Sequence, residues 1–167
     1  MKENQNLFRD LQEDFRKMKK NLLVAQSGGP TAAINATLAG VIKQAIKEEQ
    51  IDQVYGACYG IQGVLEQKFV NLTEKVDTEE KLEKLKRTPA AALGSCRFKL
   101  NNIKEDDSQY QEIVDILHKM NIGYFVYIGG NDSMDTVAKL SAYCKEKGVE
   151  DIKVIGGPKT IDNDLAL

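Results

Sequence analysis

The stretch Tyr124-Phe125-Val126-Tyr127-Ile128-Gly129-Gly130-Asn131-Asp132-Ser133-Met134 decides the fold class. Its first five residues are aromatic or β-branched, the composition of a buried strand, and the glycine pair stops that strand. Past the stop, Met134, Val137, Leu140 and Cys144 recur at spacings of three and four, the stripe of a helix. A strand that turns on glycine into a helix opens a βα unit.

The same pattern extends upstream. Leu22 to Gln26 is a short apolar run ended by Ser27-Gly28-Gly29-Pro30, and Ile34, Leu38, Val41, Ile42, Ala45 and Ile46 then form one helical face. Gln53 to Tyr59 is predicted as a second strand. Asp77 with Glu80 reads as a helix start, Lys81 to Arg87 continue it, and Thr88-Pro89 break it. Ala90 to Leu100 has no periodicity and is placed on a loop. From Ser108, the residues Tyr110, Ile113, Val114, Leu117 and Met120 make another helical face. Downstream, Ile152 to Ile155 is predicted as a strand stopping at Gly156-Gly157. Strands alternating with helices point to the α/β class, with a Rossmann-like parallel sheet flanked by helices. A separate stripe of Phe8, Leu11, Phe15 and Met18 predicts an amphipathic helix over residues 1–20, leaving the α/β domain to residues 21–167.

Composition removes several classes of function. The 167 residues carry 23 Lys+Arg against 25 Asp+Glu, a net charge of −2, and so lack the basic excess that phosphate-backbone binding needs. No apolar run approaches the roughly 20 residues of a membrane-spanning helix, and the charged first twenty residues do not read as a secretory signal. Cys58, Cys96 and Cys144 are far apart and odd in number, the pattern of reduced thiols in the cytoplasm. His118 has no second histidine or cysteine nearby to share a metal.

The glycine pairs carry the functional information. Gly28-Gly29, Gly129-Gly130 and Gly156-Gly157 each follow a predicted strand, so a parallel sheet would gather them at the carboxyl ends of its strands, where open α/β folds bind ligands. Helix N-termini following two of the turns would favour anions. No Walker A loop or G-x-G-x-x-G fingerprint is present, so the cradle is of another kind. Around it stand Arg97, Asn131, Asp132, Asp135, Lys159, Thr160, Asp162, Asn163 and Asp164. Cations, oxygen ligands for Mg²⁺ and a carboxylate that accepts a hydroxyl proton are the components of phosphoryl transfer.

Four segments resemble, in chain order, the signatures of the phosphofructokinase family. They are Ser27-Gly28-Gly29 through Ile34-Asn35-Ala36, Leu93 to Arg97, Ile128 to Ser133, and Pro158-Lys159-Thr160-Ile161-Asp162-Asn163-Asp164. The resemblance implies transfer of a phosphoryl group to the 1-hydroxyl of fructose 6-phosphate, assisted by Mg²⁺, in a cytoplasmic homo-oligomer of glycolysis. It casts Asp162 as the proton acceptor and Thr160, Ile161 and Asp164 as neighbours of sugar and metal. Gly29, Gly130 and Ser133 fall at donor contacts, Arg97 at the cation bridging donor and transferred group, and Tyr59 near the nucleotide of ATP-using members.

Two positions bear on the donor. Asp132 and Lys159 stand where ATP users commonly carry glycine, and this combination resembles the pyrophosphate-dependent branch. A carboxylate beside an α-phosphate would weaken ATP binding on the order of thirtyfold, while Lys159 would add positive charge for a pyrophosphate leaving group. Asn131 replaces the family's metal-binding aspartate, and Ala32-Ala33 its usual Pro-Gly. Family members are longer, so the chain to Leu167 reads as their donor-binding half, which is expected to be inactive and prone to associate by itself. An ATP-dependent phosphofructokinase and a non-catalytic phosphate-binding module are the alternative readings.

Overall fold

The computed structural model describes residues 19–159. Residues 1–18 of the predicted helix over 1–20 and the segment from Thr160 onward lie outside the described residues; Lys20, the last residue given to that helix, opens a strand instead. Strand β1 (Lys20–Gln26) is followed by α1 (Ile34–Ala45), β2 (Ile51–Ala57), α2 (Gly60–Leu65), β3 (Phe69–Asn71), α3 (Leu72–Lys75) and α4 (Glu79–Arg87). After the irregular loop come α5 (Ser108–Lys119), β4 (Ile122–Gly129), α6 (Asn131–Glu146) and β5 (Lys153–Pro158).

The strands form one sheet in the order β3-β2-β1-β4-β5. Strands β2, β1, β4 and β5 are parallel, with Val24 opposite both Gly56 and Val126. The short β3 runs antiparallel to β2, with Gly56 opposite Val70, so the sheet is not purely parallel as the alternation predicted. Side chains alternate across β1: Leu22 and Val24 join the core beneath α1 and α4, whereas Leu23 and Ala25 join the core with Ile61, Tyr110, Ile113 and Tyr143. Both faces are therefore covered. The chain moves outward from β1 to β2 with α1 on one face, then crosses to β4 and β5 with α5 and α6 on the other. Right-handed crossovers require that exchange of faces when the direction of winding reverses. The reversal lies between β1 and β4, the switch point where such sheets bind ligands.

Three further expectations need correcting. The second strand runs from Ile51 to Ala57, and Tyr59 follows it as the left-handed residue (φ 67°) that begins α2. Thr78, not Asp77, caps α4: its hydroxyl accepts from the Lys81 N–H at 3.3 Å, while Asp77 pairs with the Lys81 ammonium at 2.6 Å. The third glycine pair lies inside β5, not after it, with Gly156 and Gly157 opposite Tyr127 and Ile128. Packing accounts for glycine there, because a Cβ on Gly156 would stand 2.7 Å from Met134 Sδ of α6.

Candidate functional site

At the switch point the ends of β1 and β4 open into a cleft of about 930 Å³. Its floor is the pair of glycine turns. Ser27 continues the sheet by donating its N–H to the Ile128 carbonyl at 2.9 Å, and Gly28 then takes a left-handed φ of 82°. A Cβ at Gly28 would stand 3.3 Å from the Gly130 nitrogen, so the close approach of the two turns requires glycine there. A Cβ at Gly29 would meet nothing within 4 Å. Gly29 therefore borders open space.

Gly130 is the N-cap of α6 and no side chain caps that helix. Gly130, Asn131, Asp132 and Ser133 all line the cleft, so first-turn N–H groups with the positive end of the helix dipole border the opening. The expectation of two helix ends at the site is met by this one. The other helix, α1, starts only at Ile34, beyond the Gly28–Pro30 part of the wall.

Lys159 ties the third strand end to this floor. Its N–H donates to the Gly129 carbonyl at 2.8 Å, and its ammonium donates to the Gly29 carbonyl. The rim thus gathers the β1 and β4 turns and the residue after β5. The 90–100 loop closes the far side with Ser95 to Lys99. Ser95 Oγ donates to the Gly28 carbonyl at 2.7 Å, and Ser27 Oγ donates to the Cys96 carbonyl at 2.9 Å. These bonds set Arg97 on the cleft wall, exposed. Tyr127 lines the base, where burial pushes its phenol above the ordinary value and its oxygen accepts from the Ile61 N–H at 3.3 Å.

A buried polar clamp supports the loop, and reading the sequence did not find it. Gln26 and Asn35 are both fully buried. Asn35 Nδ2 donates to the Thr88 and Ala90 carbonyls at 2.8 and 2.7 Å, and its Oδ1 accepts from Gln26 Nε2 and the Ala92 N–H. Gln26 Oε1 accepts from the Leu93 N–H at 2.9 Å. A polar residue inside two apolar stripes was the available signal: buried amides persist only when satisfied.

The cleft brings together Gly29, Arg97, Gly130, Asn131, Asp132 and Ser133, with Lys159 hydrogen-bonded to its floor. Tyr59 does not line it; this side chain packs beside Gly94, and the Lys68 ammonium sits 5.9 Å from its ring centre. Thr160, Ile161, Asp162 and Asp164 lie outside the described residues. Among the described residues no group of three or more His, Cys, Asp or Glu could hold a metal, and Asn131 offers one neutral oxygen. These residues alone do not fit a Mg²⁺ site. His118 accepts or donates within 3.1 Å of Asp151, whose carboxyl is held below its usual range by that contact and by Lys20. Among the described residues no helix is long and apolar enough to cross a membrane.

Topology and cleft define the class: a doubly wound α/β domain with a cleft floored by glycine turns at its switch point. A family model described as Phosphofructokinase matches residues 21–167, and the chain belongs to that family. The chain is 43% identical over 147 residues to the pyrophosphate--fructose 6-phosphate 1-phosphotransferase of Xanthomonas campestris pv. campestris, covering 88% of this chain and 34% of that protein. The solved pyrophosphate-dependent phosphofructokinase of Nitrosospira multiformis matches with a TM-score of 0.79 at 39% identity, over 89% of this chain and 35% of that one. The ATP-dependent 6-phosphofructokinase 3 of Bacteroides thetaiotaomicron is 32% identical over 145 residues, covering 85% of this chain and 39% of that protein. The chain spans about a third of the length of the relatives it matches.

Proposed function

We propose that the intact protein transfers a phosphoryl group from pyrophosphate to the 1-hydroxyl of fructose 6-phosphate. The observation that carries this reading is the convergence of Asp132 and Lys159 on the glycine cleft, one lining its wall and the other bonded to its floor. The names of the relatives in Xanthomonas and Nitrosospira support the same donor. Backbone N–H groups at Gly29, Gly130 and the first turn of α6 orient the donor, with Ser133 beneath them. Arg97 takes up charge on the transferred group, and Lys159 stabilises the departing phosphate. Asp162 accepts the sugar hydroxyl proton while Thr160, Ile161 and Asp164 hold the sugar, roles assigned from the motif they share with the family. Pyrophosphate brings its own Mg²⁺, to which Asn131 offers a single neutral ligand. Tyr59 acts from outside the cleft, on the loop that carries Arg97. We assign the reaction to a cytoplasmic homo-oligomer in glycolysis, a setting with which the free state of Cys58, Cys96 and Cys144 agrees.

Initial rates of the intact protein with fructose 6-phosphate, Mg²⁺ and either pyrophosphate or ATP test this. Turnover with pyrophosphate is expected, with ATP binding more weakly. Replacing Asp132 and Lys159 together by glycine is expected to shift the preference toward ATP. Faster turnover with ATP in the unaltered protein would overturn the reading.

A further inference from the structure

At the mouth of the cleft Asp132 is paired with Lys99, a residue to which the proposed reaction assigns no part. Lys99 Nζ lies 3.2 Å from Asp132 Oδ1, joining the 90–100 loop to the first turn of α6, and both side chains are about three-quarters exposed. Exposed pairs of this kind contribute little to folding, so stability does not explain it. Position does. Asp135, one turn along α6, is already paired with Lys139 at 2.6 Å, which leaves Asp132 as the carboxylate facing the loop. Lys99 and Asp132 also both line the cleft, on opposite walls.

A carboxylate in the first turn of a helix is drawn to the same free N–H groups and dipole that attract a phosphate. Left without a partner, Asp132 would compete with the donor for those groups and repel its charge. Lys99 cancels that charge and draws the carboxylate toward the loop wall. The cleft then combines the Arg97 cation on its wall and the Lys159 ammonium at its floor with an anion that Lys99 compensates, a balance suited to a small polyanion.

We propose that Lys99 supports pyrophosphate binding by acting through Asp132. It holds the Asp132 carboxylate across the mouth, where a longer donor would extend, and removes the repulsion that carboxylate would exert on pyrophosphate. Lys99 is thus a positioning residue, and the inference rests on pyrophosphate being the donor.

Calorimetric titration of the intact protein with pyrophosphate and Mg²⁺ tests it, using Lys99→Met, Lys99→Arg, Asp132→Asn and the Lys99→Met/Asp132→Asn double variant. Lys99→Met is expected to weaken binding about tenfold, because the uncompensated Asp132 carboxylate then competes with the donor for the first-turn N–H groups of α6 and repels it. In steady-state assays it is expected to raise KM for pyrophosphate more than it lowers kcat. Lys99→Arg should stay within about threefold of the unaltered protein, because it keeps the charge. In the Asp132→Asn background, Lys99→Met should cost less than about threefold, because the carboxylate it compensates is gone. An equal loss in both backgrounds would show Lys99 contacting phosphate by itself and would overturn the inference, as would no loss at all. Failure of arginine to rescue would do the same. A wrong donor assignment looks different: the unaltered protein would then bind ATP more tightly than pyrophosphate.

Discussion

Behind one wall of the cleft, Asn35 is fully buried and all four of its hydrogen-bonding positions are satisfied, chiefly by the backbone of residues 88–92. On the other side, Asp132 is about three-quarters exposed and its ion-pair partner is the equally exposed Lys99. Both are short polar side chains, yet one is locked into the frame and the other stands in solvent at the mouth of the cleft. The difference is one of solvent. A buried amide that loses a partner bears the full desolvation cost, whereas an exposed carboxylate that loses its lysine is rehydrated at little cost to the fold. Substitutions on the clamp side should therefore register in stability, and substitutions at the mouth should register in donor binding.

The largest stability loss is expected for Asn35→Ala. It would strand the Gln26 amide, the Ala92 N–H and the Thr88 and Ala90 carbonyls, at about 3 kcal/mol in urea denaturation. Pyrophosphate affinity should fall with it, since Arg97 is carried by the same loop. A loss below about 1 kcal/mol would mean that water replaces the clamp. Gly28→Ala comes next, at about 1–2 kcal/mol for a left-handed alanine, because the residue sits at φ 82° with its would-be Cβ 3.3 Å from the Gly130 nitrogen. An unchanged urea midpoint would show that the two turns can separate freely.

Smaller again is an alkaline effect of the buried tyrosines, of which Tyr127 lines the cleft. Burial raises the phenols of Tyr110, Tyr127 and Tyr143, so the folded chain keeps these protons to higher pH than the unfolded chain. Their contribution is complete below the ordinary phenol value of about 10 and is lost as pH rises through it toward the folded values. Urea midpoints should fall as pH rises past about 10, and less steeply in Tyr127→Phe. An identical slope would place the alkaline loss elsewhere. The smallest stability change is expected for Gly29→Ala, within about 0.5 kcal/mol, since its Cβ would meet nothing within 4 Å. The same methyl would project into the cleft and should weaken pyrophosphate binding. A variant silent in folding yet evident in binding would sharpen the contrast between the two walls.

Much of this arrangement is readable in the residues themselves, and what is not has physical reasons. Strands β1 and β4 are apolar runs stopped by glycine, and α1, α5 and α6 carry long apolar stripes, so periodicity finds them. The segment Gly60–Lys75 escapes because α2, β3 and α3 have only six, three and four residues, too few to show a period. Gly156-Gly157 is misplaced because glycine chosen for helix packing looks the same in sequence as glycine chosen for a turn. At the site, Gly29, Arg97, Gly130 and Asp132 follow from motif and position. The Asn35 clamp and the Lys99 pair depend on contacts between residues far apart in the chain, which no local pattern records.

The convergence of the β1 and β4 turns on one inorganic anion is tested most directly by amide NMR during titration with pyrophosphate and Mg²⁺. The expected result is that the N–H signals of Gly28, Gly29, Gly130 and Asn131 shift together and saturate at one common concentration. Shifts confined to one turn, scattered over the surface or absent would contradict a shared site.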